Sequence, residues 1–268
     1  MSSADEDRLW KTLGLHWNRH SDHLTFMPML DIHPERHDSK RQLLSLSSRL
    51  FDPLGCLAPF TIRAKKLFQS LWLKGLDWDD QLPLDINSVW CQWKRELETL
   101  DSVRVPRALM VIPKDQVRRS ELHIFGDASE TAFGAVAYLM TESMDGTKEL
   151  RFCLAKTRVA PVKRLSLPRL ELMAALHVAS QSLPFNRSTC WSDSSIVLSW
   201  IRGDLRRWKP FVANRVQEIL SRTEPSQWRH CPTADNPADK LSRGCALDSL
   251  REDKLWWNGP TWLKEHIE

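Results

Sequence analysis

Four carboxylates stand at places where a folded chain would give a side chain a fixed direction. Asp127 closes the alternating apolar run ELHIFGD and is followed by small residues and a second apolar run. Glu171 lies one turn into a helix that begins SLPRLELMAAL, with Pro168 suited to its first turn. Asp193 ends the strand-like STCWSD, and Asp239 falls in the first turn of a helix within DNPADKLSR. Singly, each has an ordinary structural reading: a turn former for Asp127, a dipole partner for Glu171 and Asp239, a helix N-cap for Asp193. Together they have a shared explanation. Grouped carboxylates repel one another and are neutralised most simply by divalent cations. Hard oxygen donors suit Mg²⁺ or Mn²⁺ and leave positions for water and a phosphate oxygen. Two such ions can activate a water and stabilise a leaving oxygen, which is the chemistry of phosphodiester hydrolysis.

Positioning these acids requires a sheet. From Glu121 onward the apolar patterning predicts strands over 121–127, 131–140 and 149–156, with a turn at Met144-Asp145-Gly146 between the last two. A helix over 168–182, a strand over 188–193, helices over 194–202 and 209–221, a strand over 226–231 and a short helix from Pro237 follow. Five strands with interleaved helices make an α/β layer fold with a mixed sheet. Ala174 and Ala175, one turn beyond Glu171, would let that helix face lie close against a strand. Ala128, Ser129 and Gly134 are expected to keep bulk away from an approaching backbone phosphate.

The first 105 residues have a different texture. LGLHWNRHSDHLTFMPML suggests two short strands around a turn at residues 19–22, and the remainder reads as mainly helical. One helix over 39–50 carries Leu43, Leu46 and Leu50 and is stopped by Asp52-Pro53. A second, in TIRAKKLFQSLWLKG, carries Ile62, Leu67, Leu71 and Leu73. A third, in SVWCQWKRELETL, brings together Val89, Trp93 and Leu97. The proline- and charge-rich stretch after residue 105 marks a junction, which divides the chain into a helical region over 1–105, a linker over 106–117, an α/β domain over 118–248 and a tail over 249–268.

Composition narrows the classes. The apolar runs are broken by charges too soon to span a membrane, and the acidic start MSSADEDRLWK lacks the charge and apolar pattern of a secretory signal, so an intracellular protein is expected. Six scattered cysteines without a CxxC pair predict free thiols in place of a zinc ribbon or disulfide framework. The net charge is only +4, yet basic residues bunch at Lys163, Arg164 and Arg169 and again at Arg206, Arg207, Lys209 and Arg215. Such clusters suit a phosphate backbone, although each alone also reads as a solvated face. Thirteen tryptophans serve a core as readily as base stacking.

The strings FGDAS, LPRLELMAA, WSDSSIVLSWI and NPADKLSRG, in this order, resemble the ribonuclease H domain of retroelement polyproteins. The likeness is closer still to the Bel/Pao retrotransposons, through SKRQLLSLSSRLFDPLGCLAPF, KTRVAPVKRLSLPRLELMAAL, RWKPFVANRVQEI and LWWNGPTWL. The resemblance implies that residues 1–105 correspond to the thumb and connection of a reverse transcriptase and that a ribonuclease H-like domain follows. It further implies two Mg²⁺ ions, with Asp127 shared between them, Glu171 and Asp193 on one and Asp239 on the other. The implied substrate is the RNA strand of an RNA–DNA hybrid, cut to leave a 3′-hydroxyl. Implied partners are the polymerase palm and integrase of a polyprotein, and the implied setting is cytoplasm or a virus-like particle.

Two departures qualify this. The interval PTADN before the last helix lacks the loop histidine that many ribonucleases H carry, and His230 falls inside a predicted strand. No YxDD-type polymerase motif is present. This region of such polyproteins is also catalogued as a peptidase, but neither Asp127-Ala128-Ser129 nor Asp193-Ser194-Ser195 supplies the glycine of an aspartic peptidase motif. A transposase or integrase core is disfavoured because its glutamate usually comes last, whereas Glu171 comes second. A non-catalytic nucleic-acid-binding remnant is the alternative of a different class.

Overall fold

A computed structural model describes residues 9–12, 15–27, 29, 32–181 and 187–265. Leu13, Gly14, Pro28 and Leu30 of the expected N-terminal strands, Ser182 at the end of the expected helix over 168–182, and residues 266–268 of the tail lie outside them. The chain forms two compact units, one of residues 1–108 with 245–252, the other of residues 109–244 with 253–268. The stretch from 245 is therefore divided between the units and does not form the separate tail expected from residue 249.

The first unit opens with β1 (Leu9–Thr12), β2 (Leu15–Asn18) and β3 (His23–Thr25), an antiparallel meander. Helix α1 (Lys40–Arg49) begins at a capping box, in which Ser39 Oγ accepts from Gln42 N while Gln42 Oε1 accepts from Ser39 N. Asp52 stops this helix and starts the next: its carboxylate accepts from Cys56 N (2.9 Å) and Leu57 N (2.8 Å), ahead of α2 (Ala58–Leu73). Helix α3 (Leu84–Glu96) buries Trp90 and Trp93, which stack on each other and, through Trp93, on Phe60 of α2. Val89, expected on that face, is 43% exposed, because the buried stripe runs one residue further round through Trp90. Leu73 of α2 is likewise exposed.

This unit is less purely helical than expected. Strand β4 (Arg104–Pro106), placed by its proline in the junction, pairs with β3 and completes a four-stranded sheet. Proline is tolerated there because it ends an edge strand. A short helix at Leu247–Glu252 joins the unit through Glu96, whose carboxylate receives both arms of Arg63 (2.8 and 2.9 Å) and the Leu247 amide (2.7 Å).

The second unit is built on β5 (Val117–Ala128), β6 (Ala132–Ser143) and β7 (Lys148–Val159), each longer than its apolar pattern alone suggested. Helix α4 (Leu167–Gln181), β8 (Ser188–Ser192), α5 (Ser195–Arg202), α6 (Pro210–Leu220), β9 (Trp228–His230) and α7 (Asp239–Arg243) follow. The sheet order is β7-β6-β5-β8-β9, with β7, β6 and β5 antiparallel in turn and β8 and β9 parallel to β5.

Side-chain parity assigns the two faces of this sheet. Leu122 and Ile124 of β5, with Ala135 and Ala137 of β6, pack under α4, α5 and α6 through Leu172, Val178, Val197, Ile201 and Val216. Phe125, Tyr138 and Trp191 point the other way, where Trp256 and Trp262 of the last segment cover them. Tyr138 Oη donates to the Trp256 carbonyl at 2.7 Å. All six cysteines are free thiols, four of them buried, and among the described residues no helix is long and apolar enough to cross a membrane.

Candidate active site

Asp127 sits one residue before the end of the central strand β5, where it pairs across with Gly134 and is 8% exposed. It does not form the turn. Ser129 does that, its amide donating to the Ala132 carbonyl (2.8 Å) and its hydroxyl accepting from the Thr131 and Ala132 amides. Two glycines allow this end of the sheet to be approached closely. A Cβ on Gly126 would lie 2.7 Å from Val178 Cγ2 and 3.3 Å from the Ala174 carbonyl, so α4 rests on the backbone of β5, as the alanines beside Glu171 suggested. A Cβ on Gly134 would lie 2.7 Å from the Lys156 carbonyl and 2.9 Å from Leu241 Cβ. Gly134 thus makes room for α7 and not for a substrate phosphate, which corrects its expected role.

Parallel pairing of β8 with β5, Gly126 against Ser192, brings Asp193 to the same end of the sheet. The expected capping role of Asp193 is taken by its neighbour. Ser194 is the N-cap of α5, accepting from Val197 N (3.2 Å), and its hydroxyl donates to Glu171 Oε2 at 2.6 Å. Asp239 is the first residue of α7, anchored by buried Asn236, whose Nδ2 donates to the Gly126 carbonyl (3.2 Å) and whose Oδ1 accepts from Ala238 N (3.1 Å). The hydroxyl of Ser242, fully buried, donates to Asp127 Oδ2. Arg243 Nε donates to Asp239 Oδ1 at 2.5 Å.

The acids share one electrostatic neighbourhood. Burial, with the like charges of Asp193 and Asp239, pushes the Asp127 carboxyl up to about 7, against the lowering effect of the Ser242 hydrogen bond. Burial and the charge of Asp193 raise Glu171, again opposed by a serine. Asp193 is thus linked to both Asp127 and Glu171, and Asp127 to Asp239, at one end of the sheet. Among the described residues, however, no three His, Cys, Asp or Glu side chains stand close enough together to hold a metal ion as they are. Glu171 is turned to Ser194, Asp127 to Ser242 and Asp239 to Arg243. The donor chemistry, all carboxylate, fits a hard divalent ion; closing on one requires rotation of these side chains.

The basic residues divide. Lys163 and Arg164 are exposed in the loop before α4, and Arg207 and Lys209 are exposed before α6. Arg206 is paired with Asp204 at 2.7 Å. Arg169 of α4 and Arg215 of α6 both address the Phe211 ring, at 4.9 and 3.5 Å from its centroid, and Arg215 Nε also donates to Met173 Sδ of α4 at 3.0 Å, so its role is partly to pack α6 on α4. Arg202, within the same basic stretch, is a structural tie to the Trp228 carbonyl (2.8 Å). His230 lies exposed on edge strand β9. Ser194, Asn236, Ser242 and Arg243 were not anticipated; their signal was adjacency to the acids in WSDSS and NPADKLSR.

The sheet order and direction, with helices flanking both faces and acids gathered at the end of the central strand, define a ribonuclease H-like domain. The chain belongs to the Pao retrotransposon-like RNaseH-like domain family, whose model matches residues 39–194 and so takes in Asp127, Glu171 and Asp193. Similar solved structures include the N-terminal RNase H domain of Rv2228c from Mycobacterium tuberculosis (16% identity, 49% of this chain and 96% of that one, TM-score 0.34). RNase H1 from Halobacterium salinarum matches with 20% identity over 49% of this chain and 98% of that one, TM-score 0.31. The foamy viral protease-reverse transcriptase, solved with dsDNA, overlaps 84% of this chain and 45% of its own length at 10% identity, TM-score 0.46. No curated protein matches the chain.

Proposed function

We propose that the second unit is a metal-dependent endonuclease that hydrolyses the RNA strand of an RNA–DNA hybrid, working within a retrotransposon polyprotein. The observation that carries this is Asp127: a carboxylate on a central strand, relieved of any turn or capping duty by Ser129, whose burial, with two further carboxylates nearby, pushes it up to about 7. Acids kept together at that electrostatic cost suit a site whose missing charge arrives from outside. Asp127, Glu171, Asp193 and Asp239 would hold two Mg²⁺ or Mn²⁺ ions, which when bound supply an activated water and a counter-charge for the leaving oxygen. The protein's part is to fix the acids: β5 and β8 aim the two aspartates, Ser194 steadies Glu171, and Asn236 ties the start of α7 to β5. The exposed bases Lys163, Arg164, Arg207 and Lys209, with Arg169 and Arg215, would follow the phosphate backbone of the hybrid. Residues 1–105 would act as the thumb and connection region, with polymerase palm and integrase as polyprotein neighbours.

One observation favours the alternative of a non-catalytic hybrid-binding remnant: the acids are not arranged to chelate without side-chain rotation. A labelled RNA–DNA hybrid incubated with the full chain and Mg²⁺ separates the two. Cleavage that disappears in Asp127→Asn supports the enzyme; salt-dependent binding with no cleavage establishes the remnant.

A further inference from the structure

The positive group held against this acidic cluster is the protein's own Arg243. It stands at i+4 from Asp239 on α7 and donates to Asp239 Oδ1 at 2.5 Å. Its predecessor, Ser242, donates to Asp127 and also lies 3.1 Å from the Asp239 carbonyl oxygen, so two consecutive residues engage two of the four acids. The Arg243 side chain is 69% exposed. An exposed i,i+4 pair is worth only about 0.3–0.5 kcal/mol as a helix stabiliser, and α7 has only five residues to stabilise. The field of this guanidinium, however, reaches Asp127 and Asp193 as well as Asp239. Its position makes electrostatic sense chiefly as compensation for the grouped acids.

We infer that Arg243 is the resident counter-cation of the carboxylate cluster, paired with Asp239 while no divalent ion is bound and swung outward when one takes its place. The inference rests on the cation-binding reading of the four acids and adds a competitor to it. Arg243 is a positioning residue: it acts through Asp239, and its side chain is 69% exposed. Because ion and guanidinium draw on the same oxygen, each weakens the binding of the other.

Mn²⁺ titration of the full chain by calorimetry, without nucleic acid, tests this. Arg243→Gln is expected to bind Mn²⁺ about tenfold more tightly than the parent, which corresponds to about 1.4 kcal/mol, and Arg243→Lys to fall between them. In an Asp239→Asn background the gain should vanish. A purely structural role for Arg243 would leave the affinity unchanged or weaken it, and either result with a parent that binds Mn²⁺ overturns the inference alone. Absence of Mn²⁺ binding in parent and both variants overturns it together with the cation-dependent function. Since Arg243 is exposed, both variants should fold, and circular dichroism of each confirms the comparison.

Discussion

Asn236 Nδ2 donates to the Gly126 carbonyl at 3.2 Å, joining the loop before Asp239 to the residue before Asp127. The two acids are distant in the chain, and this buried amide fixes the step between their backbones. Replacing it with alanine removes the bridge and strands a buried carbonyl, a loss of about 1–3 kcal/mol. Asn236→Ala should therefore lower the denaturation midpoint and reduce hybrid cleavage together. Asn236→Asp, which cannot donate to the carbonyl, should lose comparable stability. Unchanged urea midpoints in both variants would contradict the bridging role.

Asp127 makes a prediction with a definite sign. Its folded-state pKa of about 7 lies above the ordinary 3.8, so the folded state binds the proton more tightly than the unfolded chain. The stability this contributes is fully present below about pH 4 and is lost as pH rises through 7. Asp127→Asn keeps an acceptor for Ser242 and removes the charge. In the presence of a chelator it should be more stable than the parent by about 1–3 kcal/mol at pH 8, with the difference closing toward pH 4. Denaturant melts at the two pH values decide it, and a less stable variant at pH 8 would refute the electrostatic reading.

Two histidines of the second unit predict acid sensitivity. Burial depresses His123 and His177 to about 4, and the nearby charges of Arg158 and Lys156 add to the effect at His177. His123 Nδ1 accepts from Trp191 Nε1 at 3.2 Å, and His177 sits edge-on to Phe133. Both are neutral in the folded state, while the unfolded chain takes up protons near pH 6.5. The contribution of each imidazole to stability should therefore fall between pH 6.5 and 4, by about 1.4 kcal/mol for each unit of pKa separation, against the opposite trend from Asp127. His177→Gln should flatten that slope in thermal melts over this range; an unaltered slope would assign the acid sensitivity elsewhere.

Much of this arrangement was legible in the residues. Alternation in ELHIFGD, helical spacing in LPRLELMAAL and the small residues around them located β5, α4 and their close approach at Gly126. Local readings failed where two neighbours could take one duty. Asp193 and Ser194 are both good caps, and only the fold shows that Ser194 takes the role and leaves Asp193 available. Gly134 could have cleared space for a ligand or for protein, and Leu241 of α7 settles which. The pairing of β4 with β3 joins residues about eighty positions apart, a long-range contact that no local pattern announces. Side-chain rotamers at the acids are equally invisible to spacing, because they depend on Ser194, Ser242 and Arg243 across the tertiary fold.

The return of the chain at Asp253 bears on how the ribonuclease H-like unit can be excised. A gene fragment ending at Gly244 carries all four acids, yet it omits Trp256 and Trp262 and takes away the carbonyl that accepts from Tyr138. The lower face of the sheet, with Phe125, Phe152 and Trp191, would then meet water as a sticky aromatic surface. Expression boundaries drawn by the acid-bearing strings alone would select for aggregation; boundaries that keep the closing tryptophans carry with them the short helix of the other unit.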